Sequence, residues 1–506
     1  MTEFWVNGEI VTTEETGSLL LFLRNRLHLT ALKCGCMQGA CGTCVVILDG
    51  KAVRSCIYKV ENLGGAHILT PEGLSAREQE VYAYAFAAAG AVQCGYCLPS
   101  MLMSAKVLLD ANPDPTEEEI RRGIDRNICR CTGYVSIVRA VQIAARLLRS
   151  GEAVPPLSEC GAAGESPARI DAREKILGKL KYVGDDVPDN TLFGVVKTAG
   201  LAHARIRAID TSAARAMEGV AAVLTAADVP GDPIAGWLHG DWPVLVGVGE
   251  EVQFAGDVVA LVAAENETIA RAAAAAVAVD YEPLPPVLTM DASLSSDAPQ
   301  LHSEGNVFKE VLIHRGDMAA AKAATAYEVH EVYDTPFAEH GFLETEAALA
   351  LPQGERLVIR SADQAIFLTR KMVAKVLAVP EESILVEGYP VGGAFGGRED
   401  VLVQAQAALL AKATDRAVFL QYNREESHLI HAKKHPMRIA VSSGCDREGN
   451  LTYLNIDLLA DKGAHASLGG PVLERACSMA PGPYRYRAVD FGVQSREKLL
   501  SRLPIL

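Results

Sequence analysis

Nine of the twelve cysteines lie in the first 131 residues, and eight of those nine form two sets with metal-ligand spacing. Cys36-x4-Cys41-x2-Cys44, followed by Cys56, has the spacing of a plant-type [2Fe-2S] loop. Three thiolates from one tight loop converge on a cluster, and a fourth arrives from a following strand turn. Gly35, Gly39 and Gly42 suit such a loop, because glycine accepts positive φ and leaves backbone N–H groups free to bond cluster sulfurs. Cys34 competes for the first place, but Cys34-x6-Cys41 fits the pattern worse, so it reads as a spare. The second set is Cys94-x2-Cys97 with Cys129-x-Cys131. Taken alone, four such thiolates could hold a structural zinc, or the CxxC could be a redox pair. Their position directly after a ferredoxin-like loop favours a second iron–sulfur cluster, and two clusters in series make an electron wire.

The elements that must position these sulfurs can be read from pattern. Asn7-Gly8 signals a hairpin between strands near residues 4–6 and 10–13; a short helix over 19–27 and a strand at 45–48, turned by Asp49-Gly50, complete an α+β module over 1–75. Residues 76–150 change to helices at about 76–90, 99–111, 117–124 and 135–149, a small bundle with cysteines in its turns; Thr116 and Glu119 have capping-box spacing. Val81 to Ala105 carries no charge and is long enough to span a bilayer, but Gln93, Gly95 and Pro99 break it, so it reads as two buried helices. Residues 151–170 are the linker candidate, and 171–285 and 286–506 are two further αβ regions. Acidic residues outnumber basic ones 63 to 48, a balance of −15 that argues against nucleic acid and anionic membranes as partners. The N-terminus lacks the basic and apolar regions of an export signal, which fits a cytoplasmic protein with reduced thiols.

In the C-terminal region, Gly392-Gly393-Ala394-Phe395-Gly396-Gly397-Arg398-Glu399 reads as a glycine loop opening a helix. It could cradle an anion on backbone N–H groups, or be no more than a tight turn.

Gly35-Cys36-Met37-Gln38-Gly39-Ala40-Cys41-Gly42-Thr43-Cys44, Gln93-Cys94-Gly95-Tyr96-Cys97 and Asn127-Ile128-Cys129-Arg130-Cys131-Thr132-Gly133-Tyr134 together resemble the iron–sulfur domains of the xanthine dehydrogenase/aldehyde oxidoreductase family of molybdenum hydroxylases. The likeness is greatest to flavin-free fused types, among them bacterial enzymes described as selenium-dependent xanthine dehydrogenases. It implies a multidomain α+β fold: a β-grasp [2Fe-2S] domain, a four-helix [2Fe-2S] bundle, an αβ hammerhead domain over 171–285, and an incomplete molybdopterin-binding domain from 286. By position, Gln93 and Gln364 fall beside the pterin and molybdenum, and Gly393, Phe395 and Gly396 at the metal. Glu399, and Arg475 in Leu473-Glu474-Arg475-Ala476, become substrate-contacting catalytic residues. That cation and carboxylate favour a xanthine-like purine over an aldehyde.

The implied cofactors are two [2Fe-2S] clusters and molybdenum–molybdopterin, in simple or dinucleotide form, with no FAD domain. Electrons then leave to a flavin subunit or another acceptor, and the complete enzyme is expected to be a homodimer. The family continues well past Gly482-Pro483-Tyr484, through most of the pterin-binding loops and the general-base glutamate, whereas Ser495 to Leu506 matches no family segment. The expectation is a truncated chain or one whose remainder is another polypeptide. Unless the missing half is supplied, the chain would be an electron-transfer protein; a zinc-bound structural protein is the third alternative.

Overall fold

The computed structural model describes residues 1–492 except 158–160, 162, 237, 303 and 304, so the Ser495–Leu506 segment lies outside the described residues. Asn7 (φ 54°) and Gly8 (φ 92°) both take the left-handed region that a two-residue hairpin demands. They join Thr2–Val6 to Glu9–Thr13 with Val6 opposite Glu9. Asp49-Gly50 repeats the device between Val45–Leu48 and Lys51–Arg54. With His67–Leu69, parallel to the first strand, these make one five-stranded sheet. The helix Leu19–Asn25 buries Leu19, Leu20, Phe22 and Leu23 in the core of this module.

The second cysteine set sits on four helices, Ala76–Ala88, Leu98–Ala111, Glu117–Ile124 and Val135–Ser150. Two of them open with capping boxes, Ser75 with Glu78 and Thr116 with Glu119. The uncharged stretch around Gln93 divides between two helices, and no helix among the described residues is long and apolar enough to cross a membrane.

Beyond the linker, the central feature is a seven-stranded sheet. Its order is Ile384–Gly388, Arg356–Ser361, Ala347–Gln353, Val418–Gln421, Leu192–Thr198, Val258–Ala264, Val220–Leu224. It therefore draws strands from both sides of position 285, joined by the parallel pair of Val418–Gln421 with Leu192–Thr198. The apolar helix Val403–Thr414 packs on this sheet and is buried along most of its length. That helix does not begin at the glycine loop, as expected from sequence: Leu402 is its N-cap. Gly393 (φ 100°), Phe395 (φ 56°) and Gly396 (φ 86°) are left-handed, so the loop cannot be the first turn of a right-handed helix.

Candidate functional site

The first cysteine loop lies between the N-terminal helix and the strand Val45–Leu48, with Cys56 in the 3-10 turn Ser55–Ile57. Cys36 Sγ accepts from the backbone N–H groups of Gln38 and Cys41, each at 3.4 Å. Cys41 hydrogen bonds the Cys36 sulfur and holds its thiol down at about 4. Cys44 does the same for Cys56, at about 7, while Cys41 and Cys44 are pushed up in return. Cys34 stands apart: burial raises its thiol to about 11, so it stays protonated. Gly42 (φ +73°) is forced, since a Cβ there would lie 2.2 Å from the Arg126 carbonyl oxygen.

The second set is held at helix starts. Cys97 is the N-cap residue of Leu98–Ala111, and Cys129 and Cys131 lie in the loop before Val135–Ser150; donating hydrogen bonds to their neighbours, to Cys129 above all, together with burial pushes the thiols of Cys97 and Cys131 up. Thr132 Oγ1 donates to Cys129 Sγ at 3.1 Å, and hydrogen bonds from Cys131 and Cys97 hold the Cys129 thiol down at about 2. Cys94 is lowered by its hydrogen bond with Cys131. The sulfurs thus group into the two sets read from spacing, and converging thiols with N–H and O–H donors fit an iron–sulfur cluster in each. The two loops also touch: Ile128 N donates to Cys41 O at 2.9 Å and Asn127 Nδ2 to Gly42 O at 2.9 Å.

The second cysteine turn packs against the glycine loop, and the first is joined to the segment beside that loop. Tyr96, inside the CxxC turn, donates from its hydroxyl to Cys34 O at 3.0 Å. Its ring lies 2.8 Å from where a Cβ on Gly392 would be. Glu344 accepts from Gly392 N at 2.6 Å and pairs with Arg398 at 3.0 Å, both side chains being 2% exposed. Burial pushes the Glu344 carboxyl up against the pull of Arg398. Arg398 also donates to Ala362 O and lies 4.6 Å over the Phe342 ring, which pins the loop to the segment before Glu344. Arg424 clamps the same segment to the first cysteine loop, donating to Gly35 O at 2.9 Å and to Leu343 O at 2.6 Å. Tyr96, Glu344, Arg398 and Arg424 were not singled out from sequence. For Arg398 the signal was its place inside the glycine motif; Arg424 had none beyond its charge.

Of the remaining expected site residues, Gln364 reaches the loop through its backbone, donating to Arg398 O at 3.2 Å, with an exposed side chain. Gln93 is exposed, and its carbonyl accepts from Lys175 Nζ at 3.1 Å. Phe395 is 50% exposed, Gly396 has nothing within 4 Å of its Cβ position, and Glu399 is half-buried. Asp400, beside it, accepts from Ser467 at 2.7 Å, close to the start of the helix Gly469–Met479. Arg475 lies on the exposed side of that helix. The middle of the glycine loop, at Phe395 and Gly396, is the open stretch of backbone, and its N–H groups are the donors there that fit an anionic, metal-bearing pterin.

The domain profiles match in series: a 2Fe-2S iron–sulfur cluster binding domain over residues 4–68 and a [2Fe-2S] binding domain over 70–142, then the a/b hammerhead domain of aldehyde oxidase and xanthine dehydrogenase over 177–285 and a molybdopterin cofactor-binding domain over 301–495. The aldehyde oxidoreductase of Megalodesulfovibrio gigas is 34% identical over 469 residues, 88% of this chain and 52% of its own length. The nicotinate dehydrogenase large molybdopterin subunit of Eubacterium barkeri is 33% identical over 323 residues, 63% of this chain and 75% of the subunit. Among solved structures, an aldehyde oxidoreductase from Desulfovibrio gigas superposes with a TM-score of 0.90 at 32% identity, covering 97% of this chain and 57% of the other. The chain thus spans about half the length of the aldehyde oxidoreductases it matches. It belongs to the aldehyde oxidase and xanthine dehydrogenase family of molybdenum hydroxylases, with two [2Fe-2S] domains ahead of a hammerhead domain and part of a molybdopterin cofactor-binding domain.

Proposed function

We propose that this chain supplies the electron relay and the first wall of the active site of a molybdenum hydroxylase, the rest coming from sequence equivalent to the second half of its relatives. The observation that carries this reading is the packing of Tyr96, within the second cysteine turn, against Gly392 of the glycine loop. It sets an electron outlet directly behind the cradle where oxidation would occur.

In this reading Cys36, Cys41, Cys44 and Cys56 ligate one cluster, and Cys94, Cys97, Cys129 and Cys131 the other. Gln93, Gln364, Gly393, Phe395 and Gly396 face the pterin and metal. Molybdenum–molybdopterin, when bound, supplies the two-electron oxidation of an electron-poor carbon with oxygen from water, and the clusters carry the electrons away. The chain's own part is positioning. Glu344 takes the Gly392 N–H and, with Arg398, holds the loop so that its middle at Phe395 and Gly396 stays open, and buried Tyr96 keeps water from the junction.

Aldehydes are the substrate class that the most extensive likenesses support. A purine or other N-heteroaromatic substrate is the second reading. It is favoured by Glu399 and Arg475, a carboxylate and a cation able to stabilise charge developing on a ring, and by the likeness to a nicotinate dehydrogenase subunit.

Metal analysis and EPR test the relay. The purified chain should carry about four iron in two distinct [2Fe-2S] signals. Cys41→Ser and Cys97→Ser should each remove about half the iron and one signal; retention of both signals in either variant would refute the ligand sets. Co-expression with the equivalent of the relatives' second half should add molybdenum and hydroxylase activity, assayed on aldehydes and on xanthine with a dye or a flavin subunit as acceptor. Iron without molybdenum under those conditions would leave an electron-transfer protein. Selenium analysis of the same sample decides the selenium-dependent subtype.

A further inference from the structure

Behind the glycine loop lies a second polar cluster that the redox reading does not use. Glu339, His340 and His431 bring one carboxylate oxygen and two imidazole nitrogens within 4.8 Å of one another. His431 is 7% exposed, with Nε2 2.9 Å from Glu339 Oε1 and Nδ1 2.9 Å from Glu346 Oε1. Despite these distances, both His431 nitrogens, both Glu346 oxygens and His340 Nδ1 are buried with no aligned hydrogen-bond partner. The groups converge on one another without bonding along their N–H directions. Lys433 pairs with the far oxygen of Glu339, Oε2, at 3.2 Å, while Oε1 is aimed at His431 by the backbone N–H of Gly341, which donates to it at 3.0 Å and leaves its second lone pair for a ligand role. The rings themselves are 5.5 Å apart, and Phe342 closes one side at 4.9 Å from His431.

We propose that Glu339, His340 and His431 form a site for a divalent metal ion of the zinc class, distinct from the clusters and from molybdenum, with Glu346 orienting His431. Two imidazoles and a carboxylate are a three-ligand set that zinc accepts, with a fourth position left for water. A carboxylate on the distal nitrogen of a ligating histidine fixes its tautomer and raises its basicity, and Glu346 stands at that place. His431 also lines a cleft of about 90 Å³ whose wall includes Lys433, His435 and His465, so the cluster lies one ring behind an opening from which an ion can approach. The site is held by side chains of this chain alone and does not depend on the redox reading.

The test uses the full chain with its clusters intact, titrated with Zn²⁺ by calorimetry and then studied by X-ray absorption at the zinc edge. One zinc in a nitrogen/oxygen shell supports the site; no binding, or a shell containing sulfur, overturns it. The double variant His340→Ala/His431→Gln should lose this zinc while iron content and the cluster spectrum stay unchanged. Equal zinc affinity in variant and parent would also overturn the proposal. Glu346→Gln, a milder change, should weaken zinc binding about 10- to 100-fold, and this decides the matter if the double variant does not fold.

Discussion

Gly392 governs how closely the relay approaches the glycine loop. A methyl group there would meet Glu344 Cβ at 2.4 Å and the Tyr96 ring at 2.8 Å, and neither neighbour can retreat, since Glu344 is tied to Arg398 and Tyr96 to Cys34. Gly392→Ala should therefore cost about 1–3 kcal/mol as an overpacked site. Its unfolding midpoint in urea should fall relative to the parent, whereas Gly396→Ala, with open space around it, should show only its backbone cost at φ +86°. The two cysteine-bearing [2Fe-2S] domains were legible at this scale, because thiol chemistry needs particular residues at short spacing. In the sequence Tyr96 is only one residue inside a cysteine motif. Its role comes from Cys34 and Gly392, which lie far from it in sequence and beside it in the fold.

At the level of elements, local rules performed well. The Asn7-Gly8 hairpin, the Thr116/Glu119 capping box and the four helices of the second module all form where pattern and capping place them, because each depends on residues within one turn. What joins one element to another is less local. Asp185, in the 3-10 turn Val183–Asp185, accepts from Arg24 at 2.8 Å and from Lys33, tying the first module to the segment after the linker. Burial alone would raise its carboxyl, but Lys33 and Arg24 outweigh it and hold it below the usual carboxylate range. Burial lowers Lys33 to about 8, still protonated at neutral pH. A depressed folded-state value means that Asp185 contributes stability above its unfolded value of about 3.9 and loses it as pH falls through the folded value. Asp185→Asn should destabilise the protein by about 3–5 kcal/mol at pH 7, because two buried cations lose their partner. It should also flatten the acid limb of a stability profile measured by denaturant unfolding below about pH 4.

For the whole molecule, Arg424 is the clearest joint, one guanidinium bonded to carbonyls of Gly35, Phe342 and Leu343. Each such charge-assisted bond is worth about 1.5–3 kcal/mol. Arg424→Ala should loosen the first cysteine loop from the glycine-loop region, seen as amide hydrogen exchange at residues 35–41 faster by about tenfold or more, while exchange in the helix Val135–Ser150 stays unchanged. The sequence by itself determined the sulfur chemistry, the order of modules and most element boundaries, since these rest on residue type, short spacing and periodicity. Only the tertiary structure decided that strands on either side of position 285 share one sheet, that the glycine loop stands clear of the helix after it, and that Glu339 and His340 face His431. Each of those facts is a contact between residues distant along the chain, or a backbone conformation imposed by such contacts, and neither periodicity nor spacing carries that information.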